Sequence, residues 1–114
     1  MPLTCLAISV RPRPHCADEV KYEVADRVVA RFQAMQARGE PVAEQPIRDL
    51  LTVNGVRVTV EDGTWALVRA SSNKPELVVV VESPTSEARM RVMFEAGDRI
   101  LRENPEVGAY NQTI

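Results

Sequence analysis

Two cations, two hydroxyls and one amide are concentrated in one short polar stretch of the sequence. They belong to Arg69, Ser71, Ser72, Asn73 and Lys74. Arginine presents a planar fork that binds a phosphate through two parallel hydrogen bonds, and hydroxyl, amide and backbone N–H groups complete such a site. The residue types therefore predict an oxyanion-binding loop, although an ordinary solvent-exposed loop contains the same kinds of residue.

Strands predicted on both sides would hold this loop in place. The Asp62-Gly63 pair marks a turn, and residues 65–69 after it have the composition of a strand. Beyond the loop, residues 76–82 contain an uninterrupted Leu-Val-Val-Val-Val run, which is typical of a strand that is central in its sheet or covered on both faces. The loop is thus expected to connect two neighbouring strands.

A helix is predicted before these strands. Asp18 is a suitable N-cap, and Gly39 with Pro41 beyond it marks the C-terminal end. Between them, apolar residues recur at spacings of three and four, which indicates one core-facing stripe. The stripe consists of Val20, Val24, Ala25, Val28, Val29, Phe32 and Met35.

The rest of the central region reads as a hairpin followed by a second helix. Residues 47–53 and 56–60 are predicted strands, and the Asn54-Gly55 pair between them favours a type I′ turn. Ser83, as N-cap before Pro84, opens the last helix. Its predicted inner face consists of Ala88, Met93, Ala96, Gly97, Ile100 and Leu101.

The sequence is divided here into three segments. Residues 1–16 are difficult to interpret, because Pro2, Pro12 and Pro14 lie on either side of a candidate first strand at residues 3–10. Residues 17–104 form the domain, and residues 105–114 are a polar tail for which no structure is predicted. The fold class is α+β, with a four- to five-stranded antiparallel sheet, two helices on one face and the order β-α-β4-α.

Composition limits the classes of function. The 114 residues suffice for one modest core, and 45% are hydrophobic, 26% are charged and the net charge is −2. This acidic balance, with one Trp, two Tyr and two Phe, disfavours nucleic-acid binding. No apolar run approaches the roughly 20 residues of a membrane helix. We expect no membrane segment, no secretory signal and a cytoplasmic location.

Other reactive residues give weaker indications. Cys5 and Cys16 permit a disulfide or two reduced thiols, and the reduced form is favoured for a cytosolic chain. His15 beside Cys16 does not suffice for zinc, which needs three or four ligands. Asp62, next to Glu61, is assigned to the turn, and Trp65 is assigned to the core. A solvated face with i,i+4 ion pairs is predicted for the last helix from Arg89, Arg91, Arg99, Arg102, Glu87, Glu95, Asp98 and Glu103.

Residues 63–77 read Gly-Thr-Trp-Ala-Leu-Val-Arg-Ala-Ser-Ser-Asn-Lys-Pro-Glu-Leu. This stretch resembles the C-terminal domain signature of the α-D-phosphohexomutases, the phosphomannomutase/phosphoglucomutase group. The family pattern is Gly-Trp, a short apolar strand, then Arg-x-Ser-Asn-Thr-x-Pro. Arg69, Ser71 and Pro75 match that pattern, whereas Ser72 replaces the usual Asn and Asn73 the usual Thr. The resemblance covers residues 17–104.

The resemblance implies a TATA-binding-protein-like fold and a loop that grips the phosphate not being transferred. The implied partners are a hexose phosphate (mannose or glucose 1- or 6-phosphate) and the catalytic domains of a parent enzyme. The family's phosphoserine, its Asp-Gly-Asp magnesium loop and its Gly-Glu sugar loop have no counterparts in this sequence. Magnesium is accordingly implied only for the parent enzyme, no cofactor or catalytic residue is assigned to this chain, and the chain alone is expected to be inactive.

Two functions follow from these observations. The first is the phosphate-binding C-terminal domain of a bacterial phosphomannomutase or phosphoglucomutase. The alternative is a stand-alone module that responds to a small anion or binds another protein, since the α+β architecture suits either. A gene that continues upstream with a serine loop and a metal loop would separate the first from the second.

Overall fold

The computed structural model describes the backbone of residues 8–10 and, with side chains, residues 13–52 and 54–108. The elements are β1 (Ile8–Val10), α1 (Lys21–Arg38), β2 (Ile47–Leu51), β3 (Val56–Val60), β4 (Trp65–Ala70), β5 (Leu77–Ser83) and α2 (Glu87–Leu101). The predicted α+β class and β-α-β4-α order are confirmed. The predictions for residues 3–7 and 109–114 lie outside the described residues.

The five strands form one antiparallel sheet in the order β1-β5-β4-β3-β2. β5 lies between β1 and β4, as its uninterrupted apolar run predicts, and residues 77–81 are all buried. At the β2–β3 turn both Asn54 and Gly55 have positive φ, 55° and 102°. That backbone is the one a type I′ turn requires, so the hairpin prediction is confirmed.

Both helices pack on one face of the sheet, and alternate strand residues supply the other half of the core. The largest fully buried side chains are Phe32, Leu77, Met93, Leu101, Val24, Val28, Val42, Val56, Val58, Val60, Val68 and Val81. Trp65 is not among them, so its assignment to the core is wrong. It lies on the opposite face, where the Arg57 guanidinium stacks 4.2 Å from the ring centroid.

The predicted beginning of the first helix is also wrong. α1 begins at Lys21, and Val20 rather than Asp18 occupies the N-cap position. The Asp18 carboxylate instead forms an ion pair with the Lys21 ammonium at 2.9 Å. The C-terminal end is as predicted, because Gly39 adopts the left-handed conformation at φ 70° and its N–H donates to the carbonyl of Gln36.

The second helix begins three residues later than predicted. Ser83 is the last residue of β5, and its buried hydroxyl accepts hydrogen bonds from the N–H groups of Thr85 and Ser86. Ser86 is the N-cap and accepts from the Arg89 N–H at 3.1 Å. The predicted inner face is confirmed at five of its six positions, and the exception is Ala88, which is exposed while Met90 is buried.

The prediction of an unstructured tail is wrong for residues 106–108. The Glu106 carboxylate accepts from Arg27 Nη2 at 2.8 Å, and this hydrogen bond lowers the pKa of Glu106 to about 2. Val107 is buried, and the Gly108 N–H donates to the His15 carbonyl at 2.7 Å. A polar segment without periodicity is thus held by one ion pair to α1 and one apolar anchor.

One arginine of α2 does not lie on the predicted solvated face. Arg91 and Arg102 do form i,i+4 pairs with Glu87 and Asp98. The Arg89 side chain, in contrast, is only 17% exposed and binds the Asp62 carboxylate at 2.9 Å. Its Nη1 also donates to the Ala43 carbonyl at 2.7 Å. Arg89 therefore connects α2 to the β3–β4 turn and to the segment before β2.

Asp62 makes the stability of the fold sensitive to acid. Burial alone would raise the pKa of Asp62, but hydrogen bonds from Thr64 and Arg89 outweigh it and lower the pKa to about 2. Because this folded value is below the unfolded one, the stabilisation is complete above about pH 4 and is lost as the pH falls through about 2.

We therefore expect the free energy of unfolding to decline between about pH 4 and about pH 2 more steeply for the wild type than for Asp62→Asn. Urea titrations at several pH values give the free energy of unfolding of each protein, and hence how steeply it changes with pH. Glu106 is retained in both proteins, so its own titration cancels in the comparison. Parallel slopes would show that Asp62 does not contribute to the acid sensitivity.

Candidate functional site

The five residues predicted to bind an oxyanion lie at the ends of β4 and β5, on or next to the 71–76 loop. The loop is closed at its base, because the Ser71 N–H donates to the Glu76 carbonyl at 3.0 Å. Ser72, Asn73 and Lys74 are exposed at its tip. Arg69 precedes the loop on β4, opposite Val78 of β5.

Ser71 differs from the other loop residues, because it is only 3% exposed. Its hydroxyl donates to Oδ1 of Asn73 at 3.2 Å. This bond occupies the acceptor side of the Asn73 amide and leaves the Nδ2 donors for another partner. Ser71 therefore orients a neighbouring donor within the loop.

A cleft of about 630 Å³ lies beside the loop. Arg69, Ala70 and Ser72 form one wall, together with the β2–β3 hairpin. The first half of α1 contributes Tyr22 and Asp26 on the other side. The contributions of the hairpin and the helix were not predicted, because loop composition contains no information about what packs beside the loop.

Gly55 holds the hairpin against the end of β4. A Cβ built on Gly55 would lie 2.2 Å from the Val68 carbonyl oxygen and 2.7 Å from the Cβ of Arg69. A Cβ atom cannot lie this close to other heavy atoms. Only glycine therefore allows the hairpin to approach the backbone of Arg69 this closely. The Asn-Gly turn signal identifies the turn but gives no indication of this second role.

Lys21 supports the loop from below and was not predicted either. It is 4% exposed, and its ammonium donates to the Lys74 carbonyl at 3.0 Å while pairing with Asp18. A signal was available in the sequence. Lys21 lies three residues before Val24 and seven before Val28, in register with the apolar stripe of α1, where a solvated lysine would not be expected.

Residues 14–16, the N-terminal strap, run along the back of the loop. The Cys16 N–H donates to the Pro75 carbonyl, and the Leu77 N–H donates to the Pro14 carbonyl, both at 2.9 Å. Cys16 is a free, buried thiol whose pKa is raised mainly by burial and further by the Glu106 carboxylate. The strap thus fixes the backbone on both sides of Glu76.

Within residues 8–10, 13–52 and 54–108, no three His, Cys, Asp or Glu side chains come together in a group that would bind a metal ion. None of the helices in the described part of the chain is long and apolar enough to cross a membrane.

The fold and the loop define a small α+β domain with a polar, donor-rich edge. Residues 19–98 match the family model of the phosphoglucomutase/phosphomannomutase C-terminal domain. The chain belongs to this family.

Two relatives show similar levels of identity. The phosphopentomutase of Thermococcus kodakarensis is 32% identical over 77% of this chain. A probable phosphoglucosamine mutase of Methanopyrus kandleri is 34% identical over 86% of it. In both cases the matched region is 19% of the relative's length, so the chain spans about a fifth of each. These relatives include archaeal proteins and do not support the expected bacterial origin.

Proposed function

We propose that Arg69 and the 71–76 loop bind the phosphate group of a sugar phosphate within a phosphomutase. The observation that carries the proposal is the placement of donors at one end of the sheet: Arg69 and Ser72 line one cleft, Ser72 and Asn73 line a smaller one, and Lys74 is exposed at the tip of the loop. A carbonyl-rich or acidic loop in this position would repel an anion. Donors on a closed loop are favourable, because little ordering is needed when the ligand arrives.

Each side chain has a distinct role in this proposal. The Arg69 guanidinium supplies the charge and a bidentate pair of donors. Ser72 donates its hydroxyl, and Asn73 donates from Nδ2, since its Oδ1 already accepts from Ser71. Ser71 acts through Asn73, and Lys74 is a longer-range cation.

The ligand class is a sugar phosphate recognised through its phosphate. The two relatives described above are named for pentose and glucosamine substrates, and the sequence resemblance implies mannose or glucose 1- and 6-phosphates. A phosphate clamp is the element that all these substrates can share. In a reaction that moves phosphate between two ends of one sugar, such a clamp suits both orientations of the intermediate.

The proposal requires the catalytic domains of the parent enzyme, which in this family supply the phosphoserine and the magnesium loop. This chain contributes binding and orientation of the phosphate that is not transferred. When the domain closes on the ligand, the same contact would help to exclude water from the reacting groups.

The test is an amide-resolved NMR titration of this chain with inorganic phosphate, glucose 6-phosphate and mannose 1-phosphate. We expect weak binding, with Kd on the order of 1 mM, and shifts confined to residues 69–74 for all three ligands. Arg69→Ala should weaken binding by about 10- to 150-fold, because hydrogen bonds to charged groups contribute about 1.5–3 kcal/mol.

Arg91→Ala is the matched control. Arg91 is an exposed arginine on α2 that pairs with Glu87, so its removal changes the net charge by the same amount without touching the loop. Binding should be retained in this variant apart from a small electrostatic change. Equal losses in the two variants, or shifts spread over the whole domain, would contradict a phosphate site at the loop.

A further inference from the structure

The ammonium group of Lys21 is buried beneath the loop that we propose as the phosphate site. Burying a lysine is unfavourable unless the ammonium is paired and hydrogen-bonded. Here both conditions are met, by Asp18 Oδ1 at 2.9 Å and by the Lys74 carbonyl at 3.0 Å. Asp18 itself is 66% exposed, so the ion pair lies at the surface end of the contact.

The Lys74 carbonyl oxygen accepts two hydrogen bonds. One comes from the Glu76 N–H at 2.8 Å within the loop, and the other comes from Lys21. A carbonyl has two lone pairs, so both are used by the protein. The two hydrogen bonds therefore point the Lys74 carbonyl oxygen toward the protein and away from the tip of the loop. At the tip, this oxygen would repel a phosphate.

The contact between Lys21 and the loop is rigid because Lys21 lies on the face of α1 that packs in the core. Lys21 is the first residue of α1, and Val24, Val28 and Phe32 on the same face of the helix are buried in the core. A small cleft next to it is lined by Asp18, Lys21, Tyr22, Ser72 and Asn73. The base of the helix and the tip of the loop are thus in direct contact.

We infer that Lys21 is a positioning residue for phosphate binding: its ammonium holds the Lys74 carbonyl and so presets the conformation of residues 72–74. The inference rests on the proposed function of the loop. Lys21 is not assigned a contact with the ligand, because its side chain is only 5% exposed and its ammonium is already engaged by Asp18 and the Lys74 carbonyl.

The test compares three variants of the whole chain. Lys21→Met keeps the length of the side chain and removes the donor, and Asp18 remains solvated when its partner is lost. Asp18→Asn removes the ion pair and keeps the hydrogen bond from Lys21 to Lys74. Arg27→Met, two turns along α1, breaks a different ion pair with Glu106 and serves as the matched control for loss of a cation from this helix.

For Lys21→Met we expect inorganic phosphate to bind about five- to tenfold more weakly. We also expect lower ¹⁵N order parameters for residues 72–74 in the ligand-free protein, a change that a general loss of stability would not confine to the loop. Asp18→Asn and Arg27→Met should stay within about twofold of the wild-type affinity and keep the wild-type order parameters.

The outcomes separate the inference from the function on which it rests. If the wild type binds phosphate at residues 69–74 and Lys21→Met binds equally well, Lys21 is not a positioning residue and the phosphate site stands. A similar loss in Arg27→Met would also overturn the inference, because the effect would then follow helix charge or stability. If the wild type shows no phosphate shifts at the loop, the proposed function fails and the inference fails with it.

Discussion

Gly55→Ala is expected to destabilise the domain by about 3–5 kcal/mol, the sum of backbone strain and a steric clash. Gly55 has φ 102°, which L residues rarely adopt, and its Cβ would lie 2.2 Å from the Val68 carbonyl oxygen. The neighbouring atom is backbone in the middle of the sheet, so it cannot move aside cheaply. Urea unfolding followed by circular dichroism measures the change.

Two other glycines are matched controls for this substitution. Gly39 also has positive φ, but a Cβ there would meet no described atom within 4 Å, so Gly39→Ala should destabilise by only about 1 kcal/mol. Gly97 lies inside α2, and a Cβ there would also meet no described atom within 4 Å. Gly97→Ala should therefore be stabilising by about 0.5–1 kcal/mol. An effect of Gly55→Ala no larger than that of Gly39→Ala would contradict the close approach of the hairpin to β4.

Arg89→Met is expected to destabilise the domain by about 3 kcal/mol, the lower end of the range for breaking a buried ion pair, because this pair is only partly buried. The substitution leaves Asp62, whose side chain is 18% exposed, without its guanidinium, and it removes the donor to the Ala43 carbonyl. Chemical unfolding at neutral pH gives the value.

A double-mutant cycle with Asp62→Asn isolates the pair. Because the two side chains touch, the double variant should lose at least about 1 kcal/mol less than the sum of the single variants. Arg91→Met on the same helix is the control. Its pair with Glu87 is exposed, so we expect a change within about 0.5 kcal/mol. Strictly additive losses for Arg89 and Asp62 would mean that the ion pair does not stabilise the fold.

The fold was largely predictable because its local signals agree with one another. The Asn54-Gly55 turn, the Gly39 cap and the uninterrupted run of β5 each specify one conformation by sterics or by hydrophobic burial within a short window. These signals need no knowledge of distant residues. The order of elements therefore follows from the sequence alone.

The errors occur where a side chain has a partner that is far away in the chain. Arg89 was assigned to solvent because its nearest charges in sequence allow i,i+4 pairs, whereas its partner in the structure is Asp62 on another element. Ser83 has the character of an N-cap, yet its hydroxyl is paired with that of Thr64 at 3.0 Å, 19 positions away, and its backbone stays in β5. Local pattern cannot distinguish these alternatives, since both satisfy the same hydrogen-bonding groups.

The candidate site was predictable in part. Arg69, Ser72 and Lys74 are proposed from residue type together with the family resemblance, because residue type alone is equally typical of an ordinary solvent-exposed loop. The orienting role of Ser71 and the support from Lys21 depend on burial, and burial is a property of the assembled fold. The residues that hold the loop in shape are accordingly less visible in sequence than those proposed to face a ligand.

The N-terminal strap has a consequence for the order in which the chain assembles. The hairpins that connect β2, β3, β4 and β5, which together form a meander, close loops of a few residues. Arg13 and Glu76, which meet beside the strap, are in contrast 63 positions apart. By the logarithmic dependence of closure entropy on loop length, the longer closure costs about 2 kcal/mol more. The meander can therefore form while the back of the 71–76 loop is still open. The shape of the loop is completed only when the strap pairs with Pro75 and Leu77.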